Sequence, residues 1–183
     1  MQNYYQYKND ILSFWFSERV KPFWYAKNDD FDEELNNKFL DIYNQVLSLS
    51  DNYEKDNIEL ILAFIILFDQ FSRNMFRGQA KAFATDDKAL KLSHYSIKNK
   101  LDEQLTNKDH KQFLYMPLMH SENIEDQEIS VNKFSNLNKE SYTFAIMHKD
   151  VINRFGRFPG RNEALIRKST KEEIKFLKDF SHF

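Results

Sequence analysis

The residues able to do chemistry collect in a few places. Lysine supplies most of the positive charge, 19 residues against 7 arginines. Six of those arginines nevertheless fall in two windows: Arg73 and Arg77, then Arg154, Arg157, Arg161 and Arg167. All three glycines, Gly78, Gly156 and Gly160, lie in the same windows. A guanidinium offers a carboxylate or phosphate a rigid fork that an ammonium lacks. Glycine permits positive φ and close backbone approach. Together these are the ingredients of an anion site. They also suit ion pairs between helices, since Asp69 with Arg73 and Asp150 with Arg154 stand i,i+4 on a continuous helix.

Asp69 directly follows a strongly apolar run, with Ile65 and Ile66 one turn back. A carboxylate there is costly unless paired. Its partner is Arg73, an arginine of the second window, or a ligand amine or metal. His148 falls on an apolar helical stripe of Phe144, Ala145, Val151, Ile152 and Phe155. It is a core histidine with one satisfied nitrogen, or a general base facing a pocket. Pro117-Leu118-Met119-His120-Ser121-Glu122 places three polar groups at a helix exit. His120 and Glu122 could serve acid–base work, or ligate a hard metal with Glu125 or Asp126. Ser121 capping the next helix, with acids at its N-terminus, explains the same stretch without chemistry.

These residues must be positioned by helices. Three glycines and three prolines in 183 residues leave few breakers, and no strand-like alternation of useful length occurs. The pattern predicts an all-α single domain over 1–183, with about eight antiparallel helices. A short aromatic helix is expected over Asn9–Phe16, broken near Pro22. Asp30-x-x-Glu33 reads as an acidic capping box before Phe31, Leu35, Phe39, Ile42, Tyr43, Val46 and Leu47. A polar connection over Asp51–Asn57 precedes a buried helix over Asp56–Phe71, apolar all round at Leu60–Phe68. Thr85 or Asp86 caps a helix to about Asn99. Another runs over Asn107–Met116 and ends near Pro117. Ser121 or Asn123 starts the next. Tyr142–Phe155 follows, and Thr170-x-x-Glu173 caps the last. Trp15 and Trp24 read as packing anchors, and His94, His110 and His182 as exposed residues.

Composition removes several classes. With no cysteine there is no disulfide, thiolate metal site or cysteine nucleophile. A net charge of −2 gives no domain-wide basic field, which makes nucleic acid an unfavoured partner. The longest apolar run is far short of the roughly 20 residues a membrane span needs. With no signal-like leader visible, the chain reads as a cytoplasmic protein with no membrane partner. Walker, dinucleotide-binding and Gly-x-Ser-x-Gly motifs are absent, and no cofactor is implied.

Asp69-Gln70-Phe71-Ser72-Arg73-Asn74-Met75-Phe76-Arg77-Gly78 with Ala82-Phe83-Ala84-Thr85-Asp86 resembles the first signature of the bacterial family known as domain of unknown function 924. Pro117 through Glu122, with Gln127-Glu128, resembles its second. His148, Phe155-Gly156-Arg157-Phe158-Pro159, Arg161-Asn162, Arg167, Ser169-Thr170 and Glu172-Glu173 resemble its third. The resemblance runs from about Ile11 to Leu177. It implies an all-helical, tetratricopeptide-like fold and no established activity. Ser72 departs from the usual proline, Ile166 from the usual glycine, and Gly160 stands where a histidine is expected.

The arginine and glycine windows coincide with these signatures. The expectation is therefore one polar pocket. His120, Glu122 and His148 are its catalytic candidates. Asp69, Arg73, Asn74, Arg77, Arg157, Arg161 and Asn162 are its ligand-binding candidates, with no metal assigned. The pocket would bind an anionic small molecule and support acid–base chemistry on it. A protein-interaction module taking an acidic peptide is the alternative, and a carboxylate–histidine metal site a lesser one.

Overall fold

The computed structural model describes residues 4–48 and 56–180. Residues 51–55 of the expected polar connection, and His182, lie outside that range. Every regular element among the described residues is helical, with no strand. Among them, no helix is long and apolar enough to cross a membrane. The chain forms two compact units. The first runs to Arg77 and resumes over Lys81–Leu105. The second takes Gly78–Ala80 and continues from Thr106.

The first unit contains α1 (Tyr4–Trp15), α2 (Asp29–Leu47), α3 (Ile58–Ile65), α4 (Ser72–Met75) and α5 (Asp86–Lys98). Asn28, not Asp30, caps α2, accepting from the Phe31 N–H at 2.8 Å. Asp29, Asp30 and Asp32 then occupy the first turn, where the helix dipole favours negative charge. Five of the seven expected apolar positions of α2 are buried, and Ile42 and Leu47 are half-buried. Their rings join a cluster in which Phe39 and Phe71 lie 4.7 Å apart and Trp15 and Phe71 5.4 Å. Trp15 is fully buried and accepts the Trp24 indole N–H on its carbonyl, as packing anchors should.

The run from Leu60 to Phe68 is buried throughout, as its all-round apolarity requires. It is not one continuous α-helix. After α3 the chain widens into a π-helical turn over Ile66–Phe71, which carries Asp69 and Gln70. This turn displaces the usual carbonyl pairing. The Phe68 carbonyl accepts instead from the Ser72 and Thr85 hydroxyls, at 2.6 and 2.7 Å. That use of Thr85 explains why it precedes α5 without a side-chain capping bond.

The second unit contains α6 (Lys108–His120), α7 (Ile124–Ser135), α8 (Lys139–Phe155) and α9 (Lys171–Asp179). Helices α6, α7 and α8 pack on one another. Helix α6 does not stop at Pro117 but continues one turn to His120. Asn123, not Ser121, caps α7, while the Ser121 hydroxyl donates to Asp126 at 2.6 Å. Helix α8 begins at Lys139, earlier than expected, because Asn138 caps it through the Ser141 N–H. It ends on Gly156, whose φ of 67° is the left-handed closure glycine permits. Its buried stripe is narrower than the pattern implied: Ala145, Val151 and Ile152 are covered, and Phe144 is exposed. The Thr170-x-x-Glu173 capping box of α9 forms with both bonds made. His94 and His110 are half-buried, not exposed.

Candidate functional site

In the second unit, His148 and Arg161 meet the ring of Phe158, and His120 stands beside His148. His120 is the last residue of α6 and His148 lies on α8. Their ring centres are 6.2 Å apart, with the planes tilted by 47°. His148 meets Phe158 edge-on at 5.5 Å, and the Arg161 guanidinium lies 4.6 Å from that ring's centre. Both histidines and Arg161 are partly exposed, whereas Phe158 is buried. The Phe158 ring is thus a platform that carries two groups able to hold positive charge, and His120 adds a third beside His148.

Each member is fixed by identifiable contacts. The Nδ1 of His148 lies 2.8 Å from the Phe144 carbonyl, one turn back on α8. A carbonyl only accepts, so Nδ1 carries the proton, and Nε2 is the nitrogen whose protonation can change. Arg161 donates Nη2 to the His120 carbonyl at 2.7 Å. Gln127, buried on α7, donates its amide to the Met119 and Ser121 carbonyls, both at 2.7 Å, and to Leu118 at 3.4 Å. Helix ends leave such carbonyls short of partners, and of these only Leu118 also accepts a backbone N–H, from Ser121. Two distant side chains satisfy them and bracket His120 on both sides.

Glu122 anchors the platform. Its Oε1 accepts the Phe158 N–H at 2.8 Å, and its carboxylate takes a two-pronged contact from Arg167 at 2.7 and 3.0 Å. Arg167 also donates to the Phe158 carbonyl. Burial pushes the Glu122 carboxyl up, but the Arg167 bonds, the Phe158 N–H and the nearby Arg161 charge outweigh it. The carboxyl ends below its usual range. An ionised Glu122 so engaged orients its neighbours.

Arg157 and Asn162 close the adjoining loop. Arg157 forks onto Glu173 at 2.7 and 3.0 Å and donates to the Lys168 carbonyl. Asn162 donates to Ser169 and, at 3.4 Å, to Glu173. The Arg157 contact, against the opposing effect of burial and with help from the Thr170 N–H, lowers the Glu173 carboxyl to about 2. Arg154 pairs with Glu172, not with Asp150.

The first window lies in the first unit. The Asp69 carboxylate, fully buried, accepts from Arg73 at 3.1 Å and from the Gln70 amide at 2.5 Å. Arg73 also donates to both oxygens of Asp86 at 3.0 Å. Burial works against the Arg73 charge, yet Asp69 and Asp86 raise its affinity for the proton overall. Asn74 and Arg77 share Asp32, in the first turn of α2. These four residues tie the π-helical turn and its exit to α2 and α5. Among the described residues, no three His, Asp or Glu side chains are grouped as a metal would require.

Sequence reasoning passed over Phe158 and Gln127 as site residues, and placed Arg167 in its window without a role. The Gly-Arg-Phe-Pro-Gly context, one bulky ring between breakers, was the available signal for Phe158. Gln127 carried none, because its function depends on carbonyls of another helix.

The family model for bacterial proteins of unknown function, DUF924, matches residues 11–180. The chain belongs to this family. None of the curated proteins matches it. Among solved structures, it is similar to ATU0120, a protein of unknown function from Agrobacterium tumefaciens. The two share 31% identity with a TM-score of 0.88, covering 97% of this chain and 99% of that one. The all-α fold of this DUF924 chain therefore has a close parallel, and the parallel brings no activity with it.

Proposed function

We propose that the second unit binds an anionic small molecule at His120, His148 and Arg161, with Phe158 as the wall beneath them, and that the two histidines can move protons on it. The observation that carries this reading is the chain of contacts from His120 to His148, from His148 to Phe158 and from Phe158 to Arg161, which gathers two imidazoles and a guanidinium from three separate segments. Guanidinium and imidazolium groups donate charge-assisted hydrogen bonds to oxyanions. Imidazole alone among side chains changes charge near neutrality without being perturbed. Glu122, Arg157, Asn162 and Arg167 act as the frame: Glu122 binds Arg167 and the Phe158 N–H, and Arg157 and Asn162 bind Glu173. The first-window residues Asp69, Arg73, Asn74 and Arg77 serve as the corresponding frame of the first unit. Glu122 is thereby reassigned from proton transfer to support.

A thermal-shift series with inorganic phosphate, sulfate, citrate and malonate tests the reading. An anion at about 100 times its Kd adds about 2.7 kcal/mol, a rise of several degrees for a chain of this size. The rise should vanish in Arg161→Gln and in His148→Asn, and persist in Lys88→Gln on α5. No rise with any anion, or a rise unaffected by either site variant, would overturn it.

A further inference from the structure

Helix α7 turns a polar face into the second unit. Its buried residues are Asp126, Gln127 and Ser130, with Phe134 the only apolar one. Gln127 and Ser130 are fully buried and stand at i and i+3, one turn apart on the same face. Each leaves one atom, Gln127 Oε1 and Ser130 Oγ, with no hydrogen-bond partner among the described residues. A buried polar atom that has given up its bonds to bulk water is costly unless something replaces them.

The orientation of the Gln127 amide is fixed. Its nitrogen lies 2.7 Å from the Met119 and Ser121 carbonyls and 3.4 Å from that of Leu118. Carbonyls only accept, so the group facing them is the NH2 and Oε1 points away from them. The serine is unusual for a different reason. A buried helical serine can donate to the carbonyl four residues back. Ser72 does so onto Phe68 at 2.6 Å, and Ser96 onto Leu92 at 2.9 Å. Ser130 makes no such bond.

The chemistry of the two atoms says what can join them. Oε1 only accepts, whereas a hydroxyl both donates and accepts. A water molecule gives one hydrogen to Oε1 and meets Oγ with its other hydrogen or a lone pair. Side chains at i and i+3 start about 5–6 Å apart, a span of two hydrogen bonds. A metal cation is a poor match, because two neutral oxygens carry no charge to offset its dehydration. An anion would meet the negative end of the amide dipole. Ser93 on α5 also leaves its hydroxyl without a protein partner. No second atom of this kind lies on α5, so nothing there forms a bridge.

We infer that the second unit holds one buried water between Gln127 Oε1 and Ser130 Oγ, and that Ser130 acts through it as a positioning residue for the end of α6. The water fixes the rotation of the Gln127 amide. That amide in turn holds the carbonyls on either side of His120. The inference stands on α7 and α6 and does not depend on the anion reading.

A high-resolution crystal structure of the full chain tests the site directly. A water should lie about 2.7–3.2 Å from both Oε1 and Oγ. In solution, oxygen-17 relaxation dispersion counts long-lived waters, and Ser130→Ala should hold one fewer than the parent. The variant should melt about 2–4 °C lower, since a bonded hydroxyl is lost. The side-chain NH2 of Gln127 should exchange with solvent faster in it, a change that a packing defect elsewhere would not bring. A crystal structure with no water at that place, or with the Ser130 hydroxyl on the Asp126 backbone carbonyl, would overturn the inference. So would an equal count of long-lived waters, or a higher Tm for Ser130→Ala, the mark of an unpaired hydroxyl removed. An unchanged Gln127 exchange rate would overturn the positioning role.

Discussion

Replacing Ile166 by glycine should stabilise the protein. Ile166 has φ of 55°, in the left-handed region. The Arg167 N–H bonds the Asn162 carbonyl at 2.7 Å, and the Ile166 N–H bonds the Glu163 carbonyl at 3.1 Å. Those two bonds define a Schellman closure with Ile166 at its left-handed position, where glycine is the usual residue. A left-handed L-residue costs about 1–2 kcal/mol, and a β-branched one is a marked outlier there. The isoleucine gains nothing by burial in return, being 94% exposed. Glycine would remove the strain and give back about 0.5–1 kcal/mol through its freer unfolded chain. The net gain is about 0.5–1 kcal/mol, which raises Tm by about 1–4 °C for a chain of this length. Calorimetry and urea unfolding with an unchanged m-value would measure it. Ile166→Val, which keeps the branch, should change little. A Tm for Ile166→Gly at or below that of the parent would refute the reasoning: the backbone would not be strained there, or the side chain would have a contact.

Three further outcomes follow from the same frame. Glu173→Gln should lower stability, because it leaves Arg157 facing a neutral group and weakens the acceptor of the Thr170 N–H; urea titration checks it. The Glu173 carboxyl is held at about 2, below its ordinary 4.5, so its contribution is complete above pH 4.5 and is lost as pH falls towards 2. The gap in stability between parent and Glu173→Gln should accordingly close over that interval. Gln127→Met should cost about 2–3 kcal/mol by stripping the Met119 and Ser121 carbonyls of their buried donor, with a matching loss of sulfate affinity through a displaced His120.

Local signals were readable and long-range ones were not. The Thr170 capping box and the all-round apolar run at Leu60–Phe68 follow from neighbours in sequence, and both stand in the structure. The start of α2 was misplaced because Asn28, Asp29 and Asp30 all suit a cap, and only the extended backbone at Asn28 decides. Pro117 reads as a stop, yet the helix continues one turn past it, and Gln127 and Arg161, neither adjacent in sequence, satisfy carbonyls at its end. The π-helical turn left no trace in a run where every position is apolar. The arginines stood out by type, but their partners did not. Arg167 meets Glu122 across 45 residues, and Arg157 meets Glu173 across 16. The i,i+4 rule found Asp69 with Arg73 and failed for Arg154, whose partner lies on another helix.

The most direct test of the central claim follows the histidine Cε1–H signals by NMR during a sulfate titration at pH 6.5. The chain has five histidines, so three serve as internal controls. The His120 and His148 signals should show saturable shifts with one common Kd, with little movement of the other three. Equal drift of all five, or a saturable shift confined to His94, His110 or His182, would contradict it.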